Sequence, residues 1–245
     1  MKLLVCISQV PDTTTKIRFT DNDTKFNEDK VTYIVNPYDE WYALVRALEL
    51  KETLGGTVTI ITVGTASVEP IIRKALAIGA DDAVRIDMDP KDAYSTAKAI
   101  ADYSADIGFD IVLTGKETID YNGSEVGGML AALLDLPFIS LATSLNVNGD
   151  QAVMEIDIEN GTEVITCKMP LVLSAAKGMA EARIPNMRGI MAARTKPITV
   201  VAAQGESLVE VDKFALPPAK SAVKLIDPDN MDQLVELLHS EAKVI

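Results

Sequence analysis

The chain comprises 245 residues, 48% hydrophobic and 24% charged, which excludes a disordered or low-complexity chain and suits one large core, or one core with an appended arm. Its formal net charge of −13 argues against nucleic acid as a partner, because a phosphate-binding surface would have to overcome the repulsion of the whole molecule. No apolar run is long enough to cross a bilayer and no signal peptide precedes the first strand, so membrane insertion is not expected and a cytoplasmic location is.

Leu3 to Ile7 is a continuous apolar run, the pattern of a parallel strand covered on both faces. A polar segment follows, with Asp21-Asn22-Asp23 and Asn27-Glu28-Asp29 as turn signals and a strand pair expected between them. Pro37 restricts Asn36 to an extended conformation, and Asp39 is placed to cap the helix behind it. In that helix Trp41, Leu44, Val45 and Leu48 recur at helical spacing until Gly55-Gly56 stops it. Val58 to Val63 reads as the second strand, followed by a helix from Val68 to Ile78 with Ser67 as cap. Ala83 to Ile86 is the third strand, Ala93 to Ile107 the third helix and Ile111 to Thr114 the fourth strand. A polar loop then leads into a helix beginning near Ser124, with Val126, Met129, Leu130 and Leu133 on one face.

This alternation predicts an α/β, Rossmann-like fold: an open, mainly parallel sheet with helices on both faces. After Phe138 to Leu141 the rhythm changes. Met154, Ile156 and Ile158 alternate with acids, as do Ile165, Cys167 and Met169 with polar residues, between the turns Asn148-Gly149-Asp150 and Glu159-Asn160-Gly161. An inserted antiparallel meander is expected, returning through Leu171 to Ala175 to the parallel set. Ile198 to Ala203 suits a strand, and Asp227-Pro228 opens a last helix with Met231, Leu234, Val235 and Leu238 on one face. The expected division is residues 1–198 as the α/β domain and 199–245 as a C-terminal arm, whose apolar face needs cover from its own sheet or from another subunit.

Chemistry-bearing residues are few. Cys6 and Cys167 lie in apolar strand-like runs, consistent with buried thiols in a reducing compartment, and the single His239 is expected at the surface, so no metal site is predicted. No paired carboxylate, Ser/His or Cys/His arrangement suggests an enzyme. The loop after Ile111 to Thr114 can present backbone amides to an anion, helped by Gly123, Gly127 and Gly128. It carries neither a Walker lysine nor a GxGxxG, and a tight connection with nothing bound fits equally. From Ala182 to Gly205 there is no acidic residue, while Arg183, Arg188, Arg194 and Lys196 all lie there.

The run Glu181 to Ile198, EARIPNMRGIMAARTKPI, closely resembles the signature of the electron transfer flavoprotein β-subunit family. The opening VCISQVPD, the turn Val35-Asn36-Pro37, the run from Arg73 to Asp81, and Gly115-Lys116 with Ile119-Asp120 extend that resemblance over nearly the whole chain. The family implies a non-catalytic electron carrier: a heterodimer with an α subunit, sharing one FAD held mainly by α. Electrons are taken from acyl-CoA and related dehydrogenases and passed to a quinone oxidoreductase. By resemblance an AMP pocket is formed by Cys6, Asn36, Pro37, Tyr38, Asp39, Val63, Gly115, Asp120, Asn122, Gly123, Ser124, Glu125 and Val126. Tyr38 and Thr13 fall near the flavin. Met187, usually a leucine in the family, is the expected dehydrogenase anchor, with Arg183, Arg188, Arg194 and Lys196 around it.

Two departures bear on the pocket. Ser8 stands where the family usually has a basic residue, and Ser124-Glu125-Val126 replaces an Asn-Gln-Thr triplet, so Glu125 must turn away from a phosphate. A subset of the family binds a second FAD in this pocket, bifurcates electrons and carries an Asp-Thr-x-Ala-Thr-Ser run. Here the run is Asp92-Ala93-Tyr94-Ser95-Thr96-Ala97, matching only at Asp92 and Thr96, which favours AMP. A free-standing adenine-nucleotide-binding protein or hydrolase with the same core is the rival reading, and the run from Arg183 to Pro197 counts against it.

Overall fold

The computed structural model describes residues 1–203, 205–220 and 222–245. In chain order the elements are β1 (Lys2–Cys6), β2 (Gln9–Pro11), β3 (Phe19–Thr20), β4 (Lys25–Phe26), β5 (Tyr33–Val35), α1 (Asp39–Leu54), β6 (Thr57–Val63), α2 (Glu69–Ile78) and β7 (Asp82–Asp87). There follow α3 (Ala93–Ser104), β8 (Ile111–Gly115), α4 (Val126–Leu134), β9 (Phe138–Asn148), β10 (Gln151–Ile158), β11 (Gly161–Lys168), β12 (Leu171–Ala175), α5 (Met187–Ala193), β13 (Ile198–Ala202) and α6 (Met231–Leu237).

The nine-stranded sheet runs β11-β10-β9-β12-β8-β1-β6-β7-β13. Strands from β12 through β13 pair in parallel, and β9, β10 and β11 form the antiparallel meander. The expected fold class therefore holds. Alternate residues of the central strands feed two cores: Leu3, Val5, Ile60 and Leu113 pack under α1 and α2, while Leu4, Cys6, Ile61 and Val112 pack under α3 and α4. The chain builds outward from β1 to β6 and β7, then crosses through α3 to β8 on the other side of β1. That reversal leaves a crevice beyond the carboxyl ends of β1 and β8, where open α/β sheets take their ligands.

Several local expectations are corrected. Asp39 is the first residue of α1 rather than its cap, and the preceding Tyr38 takes φ 65° with no side-chain cap bond. Ser67 does not cap α2; it lies in a 3-10 turn, Ala66–Val68, with its hydroxyl 2.9 Å from that of Thr65. α3 stops at Ser104, and α4 starts at Val126, two residues after Ser124. The pair β3–β4 encloses the first polar turn instead of lying between the two. Phe138 to Leu141 and the first arm of the meander form one strand, β9, parallel to β12 at its start and antiparallel to β10 at its end. An irregularity at Leu141, φ 58°, absorbs the change of partner at the point where the sequence rhythm changes. Cys6 is buried as expected, but Cys167 is only half-buried on the edge strand β11.

The arm is tied down further than its sequence suggests. β13 pairs in parallel with β7 at the sheet edge. Beyond it, the Asp92 carboxylate accepts from the amides of Leu208 and Val209 at 2.7 and 3.0 Å. Phe214 stacks on Phe19 with ring centroids 4.9 Å apart, and its amide donates to Asp23 O. From Leu216 onward the apolar side chains Val223, Leu225, Met231, Val235, Val244 and Ile245 are exposed.

Candidate functional site

The crevice is assembled from the residues that end β1, β6 and β8. Cys6 closes β1, Val63 closes β6 and Gly115 closes β8, while Asn36 to Asp39 join β5 to α1. Asn36 is fully buried, and its side chain both donates to Glu117 O (2.9 Å) and accepts from the Ile119 amide (3.1 Å), with its own amide donating to Ser8 O. One side chain thus fixes the loop after β8 against the turn before α1. An extended residue held by Pro37 is what lets that amide face inward.

Sequence reasoning missed the central residue, Glu40. It is 6% exposed and accepts from the Ser8 amide (2.6 Å) and the Ser8 hydroxyl (2.5 Å). Burial pushes its pKa up to about 8, against the lowering effect of the Ser8 bonds, and Asp120 and Asp39 add to the rise. Burial first, and then Glu40, also drive the Cys6 thiol well above its ordinary range, so it is no nucleophile. Gly115 must be glycine, because a Cβ there would lie 2.7 Å from Glu40 Cγ and 3.1 Å from its backbone nitrogen. The signal for Glu40 was its spacing: it shares the helix face of Ala43, Leu44 and Ala47, all buried.

Asp120, Asn122, Gly123, Ser124 and Glu125 lie exposed on the loop, and Val126 begins α4 half-buried. Asn122 and Ser124 take φ of 50° and 54°, a tight path that brings the loop to the helix start. α4 has no side-chain cap bond, so its leading amides are available to an anion. The charges around it are mostly acidic. Asp39, Glu117, Asp120 and Glu125 lie along it, and Lys116 is paired with Glu117 at 3.0 Å, with Asp39 also in its field. Glu125 folds back over the loop, its Oε2 3.7 Å from where a Cβ on Gly123 would sit. Tyr38 is 61% exposed in a left-handed conformation that a bulky residue adopts only under constraint. Thr13 is exposed on the loop after β2.

The basic segment lies across a groove from the Pro37–Tyr38 edge of the crevice. Pro185, Asn186 and Gly189 suggest a loop, but Asn186 caps α5 by accepting from the Gly189 amide at 2.8 Å, and Met187 opens the helix. Gly189 lets α5 lie against α2, since a Cβ there would meet Ala77 O at 2.2 Å. Met187 is 73% exposed, and Ile184, which the sequence did not single out, is 87% exposed beside it. The basic residues divide. Arg188 and Arg194 are exposed, Arg183 pairs with Glu52 at 2.6 Å, and the Lys196 ammonium turns inward to the carbonyls of Leu76 and Ala80 at the end of α2. Burial lowers the Lys196 pKa accordingly.

Among the described residues no helix is long and apolar enough to cross a membrane. The family model of the electron transfer flavoprotein domain matches residues 23–205. The chain is 40% identical to the electron transfer flavoprotein subunit beta of Bacillus subtilis (strain 168), over 100% of both chains. It is 34% identical to the subunit of the same name from Syntrophomonas wolfei, over 100% of this chain and 98% of that one. A third relative, the acryloyl-CoA reductase electron transfer subunit gamma of Anaerotignum propionicum, is 28% identical over 97% of this chain and 98% of its own. Full-length matches to these carriers place the chain: it belongs to the electron transfer flavoprotein family, as a β-type subunit that transfers electrons and is not itself an enzyme.

Proposed function

We propose that this chain pairs with an α subunit around one shared FAD, takes electrons from acyl-CoA and related dehydrogenases, and delivers them to a quinone oxidoreductase from the cytoplasm. The observation that carries the nucleotide part is the uncapped start of α4 facing the Gly115 and Asn36 junction at the reversal point of the sheet. AMP fits that place. The α4 amides offer its phosphate a seat, and the strand ends at Cys6, Val63 and Pro37 offer the adenosine a place beside it. The flavin, when bound, supplies the redox chemistry, and this chain contributes position and shielding through Tyr38 and Thr13. An exposed aromatic held at positive φ suits that task.

A second FAD is disfavoured by a specific contact, because the Asp92 carboxylate that begins the run Asp92 to Ala97 is already engaged by Ser95 and the arm amides. Extraction of the purified heterodimer should release one FAD and one AMP; two FAD would move the assignment to electron bifurcation.

For the dehydrogenase, the support is the exposed pair Ile184 and Met187 and the name of the Anaerotignum relative. Burying one such side chain contributes about 1.5–3 kcal/mol, so Ile184→Ala or Met187→Ala should weaken docking roughly ten- to a hundredfold. The flavin spectrum and heterodimer should be unchanged; unaltered transfer kinetics in both variants would refute the docking role. For the α subunit, the free part of the arm is the contact, and truncation after Phe214 should leave a folded chain that no longer retains α or flavin.

A further inference from the structure

A groove of about 950 Å³ opens between the start of α1, the outer side of α2 and the segment 182–194. Tyr38, Trp41, Pro70, Ile184 and Ile190 supply an apolar lining. Its charged lining residues are Arg73, Lys74, Arg183 and Arg194, with no acid among them, on a molecule whose net charge is −13. Two of these cations are already used: Arg73 donates to Ala193 O and Lys196 O, and Arg183 is paired with Glu52. Lys74 and Arg194 are exposed and have no ion-pair partner within 4 Å among the described residues; Asp12 is the acid whose field reaches Lys74. An apolar floor with two free cations at its rim matches a segment that offers an apolar side chain flanked by carboxylates.

We infer that this groove seats an acidic, apolar-tipped segment of the electron-donating dehydrogenase, so that docking is reciprocal: Ile184 and Met187 enter the partner while a partner side chain enters this chain. The inference rests on the dehydrogenase reading above and deepens it. Ile184, before α5, and Ile190, on it, both line the groove and are exposed alongside Met187, so a protein covering one surface covers the other. A second copy of this chain fits poorly, because a two-fold contact would set the groove's cations against themselves. A small amphipathic anion would leave Met187, outside the groove, uncovered.

The test uses the flavin-loaded heterodimer and its cognate acyl-CoA dehydrogenase, reading KM for the carrier over a range of ionic strength. Lys74→Glu and Arg194→Glu should each raise KM about three- to tenfold at low salt, with kcat unchanged, and the difference should fade toward about 0.5 M salt. Lys74→Arg should keep wild-type behaviour. Unchanged KM in both reversals, while Ile184→Ala or Met187→Ala still raises it, overturns the groove and leaves the dehydrogenase reading standing. Failure of the wild type to accept electrons from any acyl-CoA dehydrogenase overturns both. Loss of the α subunit from the charge-reversed variants, or saturable octanoate binding that Lys74→Glu abolishes with KM unaltered, assigns the groove to another occupant and overturns the inference.

Discussion

α3 and α4 begin at the same end of the sheet and pack on the same face, yet their first turns are finished differently. At α3, Asp92 forms a capping box with Ser95 and accepts two further amides from the arm. At α4, no side chain caps the first turn, and the loop before it takes two left-handed residues to reach it. A helix start closed by its own carboxylate has no use for an external anion, whereas an open one does. Two helices alike in sequence class therefore differ in what they can bind. The lesson is that the capping residue, more than the glycine content of the loop, tells a closed helix start from one open to an anion.

Breaking the platform behind the open end should have the largest effect. Glu40 holds Ser8 and packs on Gly115, and its pKa of about 8 exceeds the ordinary 4.5. A carboxyl with a raised folded-state pKa takes up protons on folding, so its stabilising contribution is complete below about pH 4.5 and is lost as pH rises through about 8. The upper bound is on the order of 5 kcal/mol. Melting temperature should therefore fall between about pH 4.5 and pH 8 in the wild type and level off above that, and Glu40→Gln should flatten that fall while keeping a bond to Ser8. A parallel loss in the variant would place the pH dependence elsewhere.

Asp92 offers the complementary test at the closed end. Asp92→Ala removes the cap and the arm's anchor together, at a cost of about 0.5–2 kcal/mol from the cap alone. Asp92→Asn separates the two roles. Asparagine caps nearly as well, but it cannot offer a second carboxylate oxygen to Leu208 and Val209, so α3 should survive while the arm loosens. Hydrogen exchange at those two amides should speed in both variants, whereas Tm should fall clearly only in the alanine variant. Slow exchange in Asp92→Asn would mean that Phe214 on Phe19 holds the segment unaided.

What the sequence made legible follows from how local each determinant is. The apolar runs of β1, β6 and β8 and the helical spacing of Trp41, Leu44 and Leu48 are local, and these elements stand where periodicity put them. β9 was divided because its two halves look alike in sequence and differ only in which distant strand they meet, β12 or β10. Caps were misread for a related reason. Ser67 and Asp39 are good capping types, but the backbone at Tyr38 and through the 3-10 turn does not present them. Pro185, Asn186 and Gly189 signalled a loop with the same residues that start α5, since a loop end and a helix cap draw on one vocabulary. Lys196 was legible as a charge but not as a partner for α2 carbonyls, and Glu40 was missed because a carboxylate on a buried stripe contradicts the usual rule.

The smallest expected effect sharpens the comparison most, because it opens α4 further without touching the fold. Glu125 lies at the helix start with its carboxylate bent over Gly123. There it favours the α4 dipole but opposes any phosphate held by the same amides. Replacing it by glutamine removes the charge and keeps the side-chain length. Helix-end charges contribute about 0.3–1 kcal/mol at low ionic strength, so Glu125→Gln should strengthen AMP retention roughly two- to fivefold. The same change should lower Tm slightly, since the helix loses its acidic neighbour. Both shifts should shrink as salt rises, because the charge is exposed and screened within about 10 Å at 0.1 M. Equilibrium dialysis of the heterodimer against labelled AMP, with and without added salt, measures the first effect, and calorimetry the second. If affinity stayed the same while Tm fell, the phosphate would not be at α4, and the open helix start would serve only to turn the chain.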